Sequence, residues 1–248
     1  MIRLQDVGFA YPDGNQALDQ ICLNIDKGST VAIVGANGAG KSTLLSLLVG
    51  IQMPKEGTIT INDLVLNKSN LDKIRRMVGF VFQNPDDQLF MSRVSEDIAF
   101  GPRNYGCSAD ETERRVKETA ELLQIEHLLD RAPYKLSGGE KRSAAVAATL
   151  AVKPEVVLLD EPSSFLDPRG RRNLIRLLGE LSLTKVIATH DLDLVLDLCA
   201  RVVILKKGSV FADGSPYKLF RNEELMEECG LEVPLSLQRQ LDAKNPQT

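Results

Sequence analysis

Residues 30–42, "TVAIVGANGAGKS", constrain the fold more than any other stretch of this chain. The opening "TVAIVG" is apolar on both faces, the pattern of a strand buried in the middle of a sheet. "GANGAGKS", Gly35 to Ser42, fits G-x-x-x-x-G-K-[ST], and a helix is expected from Lys41 to Val49. A strand, a glycine loop and a helix in this order make a phosphate site. Gly35, Gly38 and Gly40, with Asn37 and Ala39 among them, let successive backbone N–H groups wrap a phosphate, and the helix N-terminus adds its dipole. Lys41 supplies a mobile cation for β and γ phosphates, the Ser42 hydroxyl suits a Mg2+ shell, and Thr43 completes the candidate triphosphate contacts. The competing reading is a plain glycine-rich turn, which leaves the flanking strand and helix as coincidence.

The rest of the chain alternates in kind. Strand-like stretches at Ile2 to Phe9 and Leu18 to Ile25 come first, and "GTITIND" and "MVGFVFQ" follow Pro54, divided by a polar segment. From Asn84 to about Pro154 the pattern is helical. Ser108 and Glu111 form a capping box there, ahead of a helix whose Val116, Ala120 and Leu123 share an apolar face. Alternation resumes with "VVLLDE", a helix from about Arg171 to Leu181, "KVIATH", a helix near Asp193 to Cys199, and a hairpin in "RVVILKKGSVFADG". This predicts a mainly parallel sheet with helices packed on it. Beyond Ser215, short helices lead to "QRQLDAKNPQT", a polar tail expected to fray.

At 248 residues, 43% hydrophobic and 26% charged, the chain can bury a substantial core. A net charge of −4 argues against a nucleic-acid partner. The longest apolar run, around Ala144 to Val152, falls well short of the ~18 residues a spanning helix needs. The N-terminal "MIRLQDVGFAYPDG" lacks the apolar core of a secretion signal, so a reducing cytoplasm is expected. Cys22, Cys107, Cys199 and Cys229 are far apart with no C-x-x-C pair, and read as buried or incidental thiols.

Further polar residues fall at strand ends. "VVLLDEP" delivers Asp160 to the C-terminal end of a buried strand, where ligands of open α/β sheets bind. Asp160 suits Mg2+, a hard cation that prefers oxygen, and Glu161 is placed to polarise an attacking water as general base. Gln83 ends "GFVFQ" and His190 ends "KVIATH"; each alone reads as a strand cap, but together they can bond a γ-phosphate or its attacking water. Gln83 is also a candidate Mg2+ contact. His127 has no such company and reads as surface or packing. Tyr11 in "FAYPDG" either stacks on a purine or packs in a turn, and spacing leaves both open.

"LSGGE", Leu136 to Glu140, opens another helix with a capping box between Ser137 and Glu140. Glycine in a helix costs about 1 kcal/mol relative to alanine, yet Gly138 and Gly139 occupy its first turn. Free amides, a hydroxyl, a positive dipole and no obstructing side chains make this a second anion site. With two phosphate devices and one G-x-x-x-x-G-K-[ST], one arrangement is that the second serves a triphosphate held by another molecule, in a two-fold dimer with two nucleotides at its interface. Folding back within one chain is the other arrangement.

Tyr11, "GANGAGKS", Gln83, "LSGGE", "VVLLDE", "SFLD" at Ser164 to Asp167 and His190, in this order, resemble the nucleotide-binding subunit of an ABC (ATP-binding cassette) transporter over about residues 1–220. The resemblance implies an α/β fold: a P-loop NTPase core with a mainly parallel sheet, an N-terminal antiparallel β subdomain and an inserted α-helical subdomain over about 84–154. Residues 221–248 then form a C-terminal helical extension and tail. It implies that ATP and Mg2+ are bound, that Ser137, Gly138 and Gly139 contact ATP on the opposite subunit, that Glu161 is the catalytic base and His190 the γ-phosphate sensor, and that Ser164 to Asp167 communicate across the dimer.

"GFVFQNPDDQLFMSRVSEDIAFGPRNYG", Gly79 to Gly106, is similar to the ATPases of energy-coupling factor transporters, especially the cobalt and nickel uptake type, where "FQNPDDQLF" is characteristic. That implies a second ATPase subunit, either a related ATPase or a second copy of this chain, the homodimer that one complete motif set permits, together with a transmembrane coupling subunit received by the helix after Gln83, a substrate-binding membrane subunit, and a peripheral place on the cytoplasmic face of the membrane. Asp86 and Asp87 are candidate partners for arginines of the coupling subunit. The departures from the family pattern are Glu140 where glutamine is common, Ser143 where arginine is common, and Ser163 where threonine is frequent. A biotin or other vitamin uptake ATPase, a soluble ABC ATPase acting on DNA or ribosomes, and a P-loop kinase are the alternatives. Against the soluble ATPase stand the single cassette and the absence of a long coiled-coil insertion. Against the kinase stands Glu161, a water-activating group a kinase does not need.

Overall fold

A computed structural model describes residues 1–238, so the tail from residue 239 onward, with the fraying expected of it, lies outside the described residues. The N-terminal strands β1 (Ile2–Ala10) and β2 (Gln16–Ile25) pair antiparallel, and β3 (Thr30–Val34) follows. Then come α1 (Lys41–Leu48), β4 (Glu56–Ile61), β5 (Leu64–Val65), α2 (Leu71–Met77) and β6 (Val78–Val81). Three helices succeed one another: α3 (Val94–Asn104), α4 (Ala109–Leu123) and α5 (Gly138–Leu150). The chain then runs through β7 (Val156–Asp160), α6 (Pro168–Glu180), β8 (Thr184–Ala188), α7 (Leu192–Leu198) and the hairpin β9 (Arg201–Lys206) and β10 (Ser209–Gly214). Short helices α8 (Pro216–Leu219) and α9 (Glu223–Glu228) follow, and residues 235–238 are helical again.

Two sheets result. One is antiparallel, in the order β2-β1-β4-β5; the other is six-stranded, in the order β10-β9-β3-β8-β7-β6, and parallel except for β10. The doubly apolar "TVAIV" is flanked by β9 and β8, away from either edge, as a strand buried on both faces must be. Period-two alternation divides its neighbours between two cores. Val31, Ile33, Leu158, Val186 and Val203 face α1 and the antiparallel sheet, while Ala32, Val34, Leu159, Ile187 and Val202 face α5, α6 and α7. At about 1.5–3 kcal/mol for each large apolar side chain removed from water, either core outweighs any single polar contact in the fold. A third core, with Val94, Ile98, Ala120, Leu128, Ala144 and Ala147, holds α3, α4 and α5 together, and Val116 and Leu123 pack against it on the face predicted for α4.

Three local expectations need correction. The polar segment before "MVGFVFQ" contains α2, which buries Ile74 alone and so carries no readable period. The residues directly after Gln83 form a single 3₁₀ turn, Pro85–Asp87, capped by the Asn84 side chain accepting from the Asp86 amide, and regular helix resumes only at Val94. The Ser108 box is half formed: Ser108 Oγ accepts from the Glu111 amide, but the Glu111 carboxylate is drawn away by Arg114 and Arg115, which hold its pKa down at about 2. Among the described residues no helix is long and apolar enough to cross a membrane.

Candidate nucleotide site

Parallel register sets the site. Val81 lies opposite Leu159, Leu159 opposite Ile187, and Ala188 opposite both Asp160 and Ile33. The C-terminal ends of β3, β8, β7 and β6 therefore align, and the loop from Gly35, His190, Asp160 with Glu161, and Gln83 emerge along one edge of the sheet. This is where open α/β sheets place their ligands.

The loop from Gly35 requires glycine at its two ends. A Cβ at Gly35, φ +155°, would stand 2.3 Å from Leu205 O, and one at Gly40, φ +103°, 2.6 Å from Ala17 O. Asn37 and Gly38 are exposed at the tip. The Ala39 amide donates to Ala36 O at 3.1 Å, closing a turn inside the loop. Lys41 is buried, and its Nζ donates to Gly35 O at 2.7 Å and to Ala36 O at 3.2 Å, bridging the loop it is meant to serve. Burial lowers its pKa, while the Glu161 and Asp160 charges oppose that fall. The Thr43 hydroxyl and Tyr11 Oη share a hydrogen bond of 2.9 Å. Tyr11 also packs edge-on against Phe9 with ring centroids 5.1 Å apart, so the turn-packing role left open for it is present in the structure.

Asp160 Oδ1 is buried with no hydrogen-bond partner, an oxygen left for a ligand from outside the chain. Burial raises the Asp160 pKa; a hydrogen bond from Ser42 and the charges of Lys41 and Arg142 pull it down, whereas Glu161 pushes it up. Asp160 and the adjacent exposed Ser42 thus fit Mg2+, which takes a few protein oxygens and keeps waters. The ion would neutralise phosphate charge. Glu161 takes a left-handed backbone, φ 46°, a strain on the order of 1 kcal/mol for a residue with a side chain. Its Oε2 accepts from Thr189 Oγ1 at 3.1 Å and from the His190 amide at 3.3 Å, and lies 2.8 Å from His190 Nδ1. The carboxylate is aimed at His190, two residues past the end of β8, and the His190 ring is otherwise exposed.

The Gln83 side chain is exposed, but its carbonyl is fixed by Arg142 Nη2, and Arg142 Nη1 donates to Phe82 O at 2.6 Å. Arg142 lies on α5. At the start of that helix the capping box is complete: the Glu140 amide donates to Ser137 Oγ at 3.3 Å, and the Ser137 amide to Glu140 Oε2 at 2.7 Å. Arg131 grips the other Glu140 oxygen at 3.1 Å. Glutamate in place of the family's common glutamine thus keeps the cap and adds an ion pair. The Ser137 amide and hydroxyl hold the Glu140 carboxyl below its usual pKa. The Gly138 and Gly139 amides are left at the open helix end. Among the described residues outside α5 and the adjoining chain, Phe165 and Leu166 lie within 4 Å of where a Cβ on these glycines would stand, and no atom of the Gly35–Ser42 loop does. Ser143 lines a cleft of about 480 Å3 between α4, α5 and α6.

Three functional groups escaped the sequence reading as site residues. Thr189 orients Glu161. Arg171 clamps Asp191 with bonds of 2.6 and 2.8 Å, tying the segment after "SFLD" to the segment after His190. Arg142 falls three, four and seven residues before Ala145, Val146 and Thr149 on the buried face of α5, and a charge on an apolar face was its available signal.

The family model described as ABC transporter matches residues 18–164. An energy-coupling factor transporter ATP-binding protein, EcfA, of Methanothermobacter thermautotrophicus is 45% identical over 94% of this chain and 77% of its own. The structure of CbiO1 from Clostridium perfringens, described as part of the ABC transporter complex cbiONQ, superimposes with a TM-score of 0.81 at 37% identity, covering 92% of this chain and 93% of that one. The cassette MJ0796, solved as a dimer bound to ADP and phosphate after hydrolysis, gives a TM-score of 0.80 at 30% identity over 87% of this chain and 99% of its own. The chain belongs to the ABC transporter family. Within it, the chain is an ATP-hydrolysing, ATP-binding subunit of the energy-coupling factor type.

Proposed function

We propose that this ATPase powers an importer of the energy-coupling factor type, with two copies closing on two ATP molecules with Mg2+, each ATP held between the Gly35–Ser42 loop of one copy and the Ser137–Gly139 amides of the other. Tyr11, Asn37, Gly38, Gly40, Lys41, Ser42 and Thr43 bind ATP in this reading. Glu161 acts as base, and Gln83 and His190 meet the γ-phosphate or its water. The carrying observation is that the Gly138 and Gly139 amides, in the first turn of a helix, donate no hydrogen bond among the described residues. The dimeric MJ0796 supports the pairing, and the similarity of "FQNPDDQLF" to the cobalt and nickel uptake ATPases supports cobalt or nickel ion as cargo recognised by other subunits.

Attachment to a transmembrane coupling subunit is supported by an apolar feature in the segment that follows Gln83 in the chain. Phe90 is 62% exposed and Phe100 38%, stacked edge to face at 4.9 Å. They border a hollow of about 270 Å3 with Arg75, Gln88 and Asp97. Asp97 Oδ1 fixes the loop by accepting from the Phe90 and Met91 amides at 3.0 and 3.1 Å. The expected role of Asp86 is weakened, because it pairs with Lys141 at 2.6 Å within the chain. Aromatic residues dominate interface energetics, so replacing Phe90 and Phe100 together by aspartate is expected to reduce co-purification of the transmembrane subunit by at least about tenfold, with ATP binding unchanged. Full co-purification of that variant would count against attachment at this hollow.

A further inference from the structure

Arg142 is 1% exposed and the bulkiest of the fully buried side chains among the described residues. Among the described residues its charge forms no direct ion pair, although Asp160 and Glu161 act on it at longer range, and its Nε has no hydrogen-bond partner. A methionine or leucine would fill such a position without the cost of burying a charge. What a hydrocarbon cannot do is close a fork on two successive carbonyls, those of Phe82 and Gln83, where β6 leaves the sheet. Arg142 stands one helical turn after Gly138, where the open amides lie. The first turn of α5 is thus braced at both ends, by the capping box at Ser137 and by the arginine on Gln83. Moreover, α5 shares its core with α3 and α4, so a tilt of that helical block moves the fork with it.

We propose that Arg142 is a positioning residue: its fork ties Gln83, at the chain's own nucleotide, to the Ser137–Gly139 amides that serve the neighbour's, so that occupancy of one site is felt at the other. The inference rests on the two-copy site proposed above. Among the described residues Arg142 makes no hydrogen bond to the Gly35–Ser42 loop, so it leaves capture of ATP by a single chain to that loop. It acts on the step in which both copies must agree, and coupling of this kind is reciprocal between sites.

The test compares wild type with Arg142→Lys and Arg142→Gln. Arg142→Lys keeps charge and bulk but loses the fork, and so serves as the milder variant if Arg142→Gln unfolds. Mg-ATP affinity of the isolated chain, kcat and the Hill coefficient for ATP are measured together. For Arg142→Lys, affinity is expected to stay within about twofold while kcat falls by about tenfold or more. The Hill coefficient is expected to drop from near about two in wild type to about one. A cooperative Arg142→Lys with wild-type kcat overturns the inference. So does a loss of ATP affinity that parallels a loss of thermal stability, since that marks a purely structural role. A wild-type protein without cooperativity removes the two-copy reading itself, and this outcome is distinct from the other two.

Discussion

Glu161→Gln is expected to lower steady-state ATP hydrolysis by at least about 100-fold, the usual contribution of a positioned general base, while Mg-ATP shifts the variant from single chains to pairs. The geometry supports both halves. Glu161 is buried, with Oε2 receiving Thr189 Oγ1 and the His190 amide, so a glutamine carbonyl oxygen can keep those two bonds and the shape of the site. What it cannot do is draw a proton from water. ATP then stays intact, and if intact ATP holds two copies together, the pair persists. Chromatography with light scattering, with and without Mg-ATP, reads the shift alongside phosphate release. Hydrolysis near the wild-type rate would remove Glu161 as base; single chains with bound ATP would remove the pairing.

The second large effect separates folding from function by sign. Gly138→Asp puts a carboxylate in the first turn of α5, where the helix dipole favours it by about 0.3–1 kcal/mol. The backbone there does not require glycine, and the nearest obstacle to a Cβ is Phe165 Cβ at 3.3 Å, which needs a few tenths of an ångström of give. Thermal stability is therefore expected to hold or rise slightly. The same carboxylate faces the triphosphate that the open amides are proposed to grip, and like charge forbids the grip. Hydrolysis is expected to fall by at least about 100-fold, the scale seen when donors to a reacting anion are lost, with ATP binding to single chains unaltered. Retained hydrolysis within a few-fold of wild type would mean that these amides do not touch nucleotide.

What the sequence made legible follows the range of the forces involved. The Gly35–Ser42 loop, its buried strand and α1 are contiguous, and each residue's role depends on neighbours a few positions away. The capping box at Ser137 is equally local and is complete in the structure. Long-range facts were hidden. The placing of β3 between β9 and β8 depends on strands more than a hundred residues on. Asp86, read as free for a partner, is taken by Lys141 from 55 residues away in sequence. The box at Ser108 failed because Arg114 and Arg115 compete for Glu111, a contest that the S-x-x-E pattern does not encode. Helix α2 buries one residue in seven, too few to show a period. Arg142 is the instructive case: helical periodicity put a charge on an apolar face, and the meaning of that conflict emerged only when its fork was seen on the carbonyls of Phe82 and Gln83.

The central claim is that one triphosphate is held by two chains, and chemical cross-linking between differently tagged chains tests it most directly. In a Glu161→Gln background with the four native cysteines replaced, one tagged chain carries Asn37→Cys and the other Ser137→Cys, both exposed positions. A short bis-maleimide is added with and without Mg-ATP. A covalent product containing both tags is expected to form with Mg-ATP and to be sparse without it. Absence of that product under Mg-ATP, with both thiols shown to be reactive, would contradict it.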